Sequence, residues 1–340
     1  MRSISQKSWR TSCTRTATQL VAAGHEVASE QFKYAGDYSA PLTVSNNNLE
    51  ITRTEKRLTF TAGKIKGEFD IQRAQFISYT SGGKKIIESF PEPYFWRAPT
   101  DNDFGNRMQF KLGVWRSAHF SRTVKSVSVN DSAKDQVDIL VDYTLNDVDV
   151  PYQVNYSIQN DGSIKVSASI DMTARNLPEL PRFGMRMNVA EQYNKVTYYG
   201  RGPWENYSDR NFSSFVGAYT TSADSMFQWN YLRPQESGYR TDVRWFELTN
   251  QQGEGLHIEG IQPVCFSALK MTDEDLDPGL TKKQQHPTDI KLRGNITLHI
   301  DHKQRGVGGD DSWGALPHNE YRLLDKQYAY SYTISLIDKK

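Results

Sequence analysis

From about Asn46 onward, apolar and polar residues alternate in short runs broken by charged pairs, Gly and Asp. LEITRTEKRLTFTAGKIKGEFDIQ begins the series; KSVSVN, QVDILVDYTL, YQVNYSIQ and SIKVSASIDM follow. Later come KVTYYG, GEGLHIEGI, DIKLRGNITLHID and YAYSYTISLID. A period of two places apolar side chains on one face of a strand. Asn160-Asp161-Gly162 joins two of these runs and predicts a hairpin, because Asp-Gly accepts the positive φ of a tight turn. Helical patterns are few; one turn is expected around Asp224 to Phe227. So many evenly spaced strands predict an all-β protein, a large antiparallel sandwich. No fixed period marks a solenoid or propeller.

The first residues differ. Residues 1–19 are polar without clear period and read as a tail or a poorly packed strand. LVAAGHEVASEQFKY, with two apolar pieces around Gly24, reads as a strand pair or an end strand. AGDYSAPL reads as a linker.

Composition narrows the function classes. In 340 residues the formal net charge is +1, so nothing points to nucleic acid or an anionic membrane. No apolar run approaches the ~20 residues that span a bilayer. The N-terminus lacks a signal-peptide core of ~7–15 apolar residues, which makes the cytoplasm the default compartment. Cys13 and Cys265 form no framework; Cys265, in VCFSAL, reads as a small core residue. His299 and Asp301 in HIDH share a strand face, a thin basis for a metal site. Aromatics, at 12%, suit both a sheet-rich protein and a sugar binder.

Three loops break the strand rhythm: FWRAPTDNDFGNRM, GRGPWENYSDRNF and GVGGDDSWG. Each sets charges beside a Trp, and loops on a rigid scaffold gather binding residues. Each also has a structural reading. Arg97 can pair with Asp101 or Asp103, with Asn102 satisfying backbone groups. Glu205 and Arg210 can lock their loop to the sheet. In the third loop, Gly308 and Gly309 permit a tight turn, and Asp310, Asp311 and Ser312 can bond to nearby amides. Trp313 then either points outward as a ring-stacking surface or folds into the core.

WRAPTDNDFG, GRGPWENYSDR, PQESGYRTDVRWFEL and GVGGDDSWG, in this order, resemble the C-terminal domain of β-galactosidases of glycoside hydrolase family 2, or the small chain of their two-chain forms. The resemblance covers about Asn46 to Lys340, and LVAAGHEVASEQF resembles the closing strand of the preceding immunoglobulin-like domain. It implies residues 1–35 as tail and remnant of that domain, 36–45 as linker, and 46–340 as a supersandwich like that of galactose mutarotases. The chain would then begin inside the preceding domain, as a small subunit or as a fragment of a longer gene.

The resemblance also implies site residues. Trp313 matches a tryptophan that stacks on sugar, chiefly in the aglycone position. Gly105, Asn106 and Arg107, running on to Met108, match a mobile loop beside the same site. The two catalytic glutamates lie on a TIM-barrel segment, for which this chain has no room. Catalytic residues in this chain are therefore none, and the Mg and Na ions of the full enzyme belong mainly to other domains. The implied partners are β-galactosides such as lactose and the barrel-bearing segment. Two other readings stand beside it: an epimerase using His257 and Glu259, two apart on one strand, and a non-catalytic sugar-binding module.

Overall fold

The computed structural model describes residues 7–33, 48–311 and 313–338. Ser312 and the linker 36–45 lie outside the described residues. The chain divides into two compact units, Met1–Thr43 and Val44–Lys340.

In the first unit, strand Lys7–Cys13 pairs antiparallel with Glu26–Lys33. Thr14 closes the connection: its N–H donates to His25 O at 2.9 Å and its carbonyl accepts from Gly24 N at 2.8 Å. Gly24 has φ 82°, so it belongs to the turn. The apolar piece Leu20–Ala23 is therefore loop, not strand, and Leu20 is exposed.

The second unit is built almost wholly of antiparallel strands, in a twelve-stranded and a five-stranded sheet. The five-stranded sheet is a meander from Leu49–Arg53 to Lys84–Lys85. In the larger sheet, Gln136–Leu145 has every second residue buried, as its alternation requires. The Asp161-Gly162 turn joins Val150–Gln159 to Ile164–Asp171, with Gly162 at φ 83° and Gly162 N donating to Gln159 O at 2.9 Å. Both sheets contribute to one apolar core. At their contact, Phe69 of the small sheet meets Phe76 at 5.0 Å and Tyr156 of the large sheet at 5.9 Å. Tyr79 Oη donates to Gly162 O at 2.8 Å across the same junction.

Two stretches depart from the expected pattern. The run DIKLRGNITLHID becomes strand only from Asn295 to Gln304; its first part follows a single 3₁₀ turn, Pro287–Asp289. Strand Arg182–Ala190 pairs along its edges with Ile87–Tyr94 and Asn295–Gln304, and its burial alternates only from Met185 to Val189, because Arg182 and Gly184 on the opposite face are buried as well. One helical turn stands at Ala223–Met226, as expected. Cys265 is half-buried in strand Gly255–Leu269. Among the described residues, no helix is long and apolar enough to cross a membrane.

Candidate functional site

The three irregular loops meet at one end of the large sheet. The first is less irregular than its composition suggests, because Asp101–Gly105 is a short helix. Thr100 and Asp103 form its capping box: Asp103 N donates to Thr100 Oγ1 at 3.2 Å, and Thr100 N donates to Asp103 Oδ2 at 3.0 Å.

Asp103 also anchors the base of the site. Arg97, with no exposed surface, donates through Nη2 to both Asp103 oxygens at 2.9 and 3.0 Å and to Gly306 O at 2.9 Å. Its Nη1 donates to Arg305 O. Arg305 in turn reaches Asp103 Oδ1 at 2.8 Å, and its Nε lies 3.2 Å from Glu179. Two buried cations thus share Asp103, and Glu179 supplies the second anion. Asp101 does not join them. It faces solvent and pairs with Lys282 at 2.8 Å and Arg233 at 2.9 Å. Asn102 Nδ2 donates to Val307 O at 3.1 Å and ties the first loop to the third.

The second loop is held by Glu205, which accepts from Arg210 at 2.6 Å, from Gly238 N at 2.8 Å and from the Tyr231 hydroxyl. Asn206, fully buried, accepts from Thr241 N at 3.0 Å and donates to Arg201 O and Trp204 O. Asp209 then reaches the third loop, accepting from Gly308 N at 2.7 Å. That close approach explains Gly306, where a Cβ would lie 2.5 Å from Asp209 Oδ2.

In the third loop, Asp311 Oδ1 accepts from Trp313 N at 2.8 Å and Ala315 N at 3.2 Å, the local stiffening read from the sequence. Asp310 pairs with His318 at 2.9 Å. Gly309 is exposed near Ala315 at the neck of the loop. Gly314 has φ 132°, and a Cβ there would sit 3.1 Å from Gly105 O, so the end of the short helix touches the loop. Trp313 is 89% exposed. Of the neighbouring candidates, Gly105 and Arg107 are exposed and Asn106 is buried, with neither amide atom partnered in the protein.

Beneath the loops lies a charge network that the sequence reading did not assign. Arg182, fully buried, faces Glu236 at 2.9 Å, Asp301 at 3.3 Å and Asp273 at 3.5 Å. His299 completes it, 2.8 Å from Asp273 and 2.7 Å from Arg182 Nη1. Both His299 nitrogens are thus spent on protein partners, so no metal position forms from His299 and Asp301. Burial pushes Glu236 up to about 7, with Asp273 adding and Arg182 opposing. Burial likewise raises Asp301 to about 7 and lowers His299 to about 4. PQESGYRTD was legible as a motif, but only the fold brings its Glu236 to Arg182. Among the described residues no group of three or more His, Cys, Asp or Glu is placed to hold a metal. His257 bonds to Glu247 at 3.0 Å on an open sheet face, away from these loops.

A larger cavity of about 630 Å³ opens elsewhere, over the core rings Phe76, Phe90, Tyr143 and Tyr156. None of the loop residues lines it, so the loop end remains the better candidate despite its smaller volume.

The family described as beta galactosidase small chain matches residues 61–336, and this chain belongs to it. A beta-galactosidase from Priestia megaterium is 35% identical over 93% of this chain and 30% of its own length. Those from Halalkalibacterium halodurans and Streptococcus thermophilus are 30% and 29% identical, over 89% and 98% of this chain. The chain spans about 30% of the length of these relatives. A galactose 1-epimerase structure from Lactobacillus acidophilus superposes with TM-score 0.41 at 10% identity, over 86% of this chain and 99% of that one. A likeness at that score carries no argument about function.

Proposed function

We propose that this chain forms one wall of the active site of a β-galactosidase of glycoside hydrolase family 2, which hydrolyses terminal β-galactosides such as lactose. Trp313 stacks on the sugar, chiefly on its aglycone side, and Gly105, Asn106 and Arg107 border the platform. The observation that carries this reading is the exposure of Trp313 on a loop whose stem is pinned by Asp209, Asn102 and Asp311. Ordering the backbone before a ligand arrives spares that cost on binding.

Hydrolysis with retention needs two carboxyl groups about 5–5.5 Å apart. In this reading they come from a TIM-barrel segment, and the Mg and Na ions of the full enzyme are bound mainly by other domains. The exposed side chains of Trp204, Phe212 and Leu232, on and near the second loop, support a face that such a segment covers.

The test combines the chain with a complementary barrel-bearing chain and follows hydrolysis of a chromogenic galactoside. Activity is expected only from the mixture. A sugar–indole contact is worth about 1–2 kcal/mol, so Trp313→Ala lowers kcat/KM of the mixture by roughly ten-fold. No gain on mixing, or an unchanged kcat/KM in the variant, overturns the proposal.

A further inference from the structure

A cleft of about 200 Å³ opens between the first and second loops, beside the stem of the third. Its wall includes Asn102, Tyr207, Arg210, Tyr231, Gln235 and Glu236. At ~30 Å³ per water it has room for about seven waters, the scale of one sugar ring rather than two.

Tyr207 is 2% exposed and rigidly held. Its ring stacks on Tyr239 at 5.6 Å with an interplanar angle of 13°, and the Arg210 guanidinium lies 5.2 Å from the ring centre. Its hydroxyl has no hydrogen-bond partner in the protein. A buried, unpaired hydroxyl is unfavourable and asks for an occupant that bonds to it. The neighbouring groups fit a neutral polyol better than an ion. The Glu236 and Glu205 carboxylates disfavour an anion, while Arg210 disfavours a cation. The amides of Asn102 and Gln235 add donors and acceptors close together.

We infer that this cleft is a second saccharide site, separate from the Trp313 platform, which takes one neutral pyranose ring through its hydroxyls. Tyr207 Oη bonds to one of them once Arg210, which lies over the ring and is half-exposed, changes rotamer; such side-chain shifts are common on binding. The choice of a sugar among polyols rests on the β-galactosidase reading above.

The full chain is titrated by calorimetry with methyl β-D-galactopyranoside and methyl β-D-glucopyranoside. Tyr207→Phe removes only the hydroxyl and keeps the stacked ring, and Gln235→Ala changes a half-exposed side chain. Each is expected to weaken binding by about three- to ten-fold, the value of one lost neutral hydrogen bond. Trp313→Ala is expected to leave the affinity of this site unchanged. The inference is overturned if both cleft variants bind as the parent does, or if Trp313→Ala alone abolishes binding. It is also overturned if the parent binds neither glycoside, or if a crystal soaked in either one shows only water on Tyr207 Oη. Activity on mixing with the barrel-bearing chain is a separate readout, so failure here is distinguishable from failure of the active-site reading.

Discussion

The two ends of one loop could hardly differ more. At its stem, Arg305 is enclosed with Arg97 against the Asp103 carboxylate, both guanidiniums buried. At its tip, Trp313 stands in solvent with only its backbone fixed. The usual burial preferences are inverted, since charges lie inside and the largest apolar ring outside. The inversion separates two tasks. The stem spends desolvated charge on holding a shape, and the tip leaves a large apolar ring in solvent. Substitutions at the two ends should therefore act on different quantities.

The largest effect is expected at the stem. Asp103→Asn leaves Arg97 and Arg305 buried without their shared counter-charge and weakens the cap of helix Asp101–Gly105. Breaking one partner of a buried pair costs about 3–5 kcal/mol. A urea titration followed by far-ultraviolet circular dichroism should show a loss of that order. A loss below about 1 kcal/mol, the value of an exposed pair, would show that water reaches the stem and would erase the contrast.

The network below the loops predicts a smaller, pH-dependent effect. Glu236 is held up to about 7, chiefly by burial. In the unfolded chain a glutamate titrates near 4.3. Between those values the folded chain keeps a proton that the unfolded chain has released. The contribution of Glu236 is therefore fully present below about 4.3 and is lost as pH rises toward about 7. Glu236→Gln cannot titrate, so its stability relative to the parent should climb with pH across that window, by at most about 1.4 kcal/mol per unit, and then level. Arg182, Asp273, Arg97 and Gln304 face this carboxyl, and Asp301 shares the same guanidinium. A difference that is flat from pH 4 to 8 would show that Glu236 is already ionised in the fold at low pH.

The sheets were legible wherever one face of a strand is wetter than the other. Gln136–Leu145 alternates in sequence and in burial alike. Arg182–Ala190 alternates in sequence from Phe183 to Val189, but its burial does not follow throughout, because Arg182 and Gly184 on the other face are buried too. The Asp101–Gly105 helix was hidden by turn-forming composition, although Thr100 and Asp103 stand at capping-box spacing. For Arg97 the short-range partner was named, because Asp103 lies within the same motif. Its contacts with Arg305 and Gly306 were not, since no local rule joins residues brought together from distant parts of the sequence. The polar partners of Glu205 beyond Arg210 escaped for the same reason. Whether the indole of Trp313 faced in or out was undecidable from GVGGDDSWG alone, since either orientation satisfies the same glycines and acids.

That orientation sets the smallest expected effect. A tryptophan in a packed core loses about 3–5 kcal/mol on truncation to alanine, through lost transfer and the cavity left behind. Trp313 has almost no buried area to lose, and Asp311 accepts from its backbone N–H, which alanine retains. Trp313→Ala should therefore change the urea midpoint by no more than a surface substitution does, within about 0.5 kcal/mol. Iodide quenching of tryptophan fluorescence checks the same point, because the quenched fraction, to which exposed Trp204 also contributes, should be smaller in the variant than in the parent. Equal quenching in both proteins, together with a core-sized stability loss, would place the ring inside and leave the loop with nothing to offer a ligand. An unchanged midpoint with a reduced quenched fraction would confine the role of the side chain to what it meets outside its own chain.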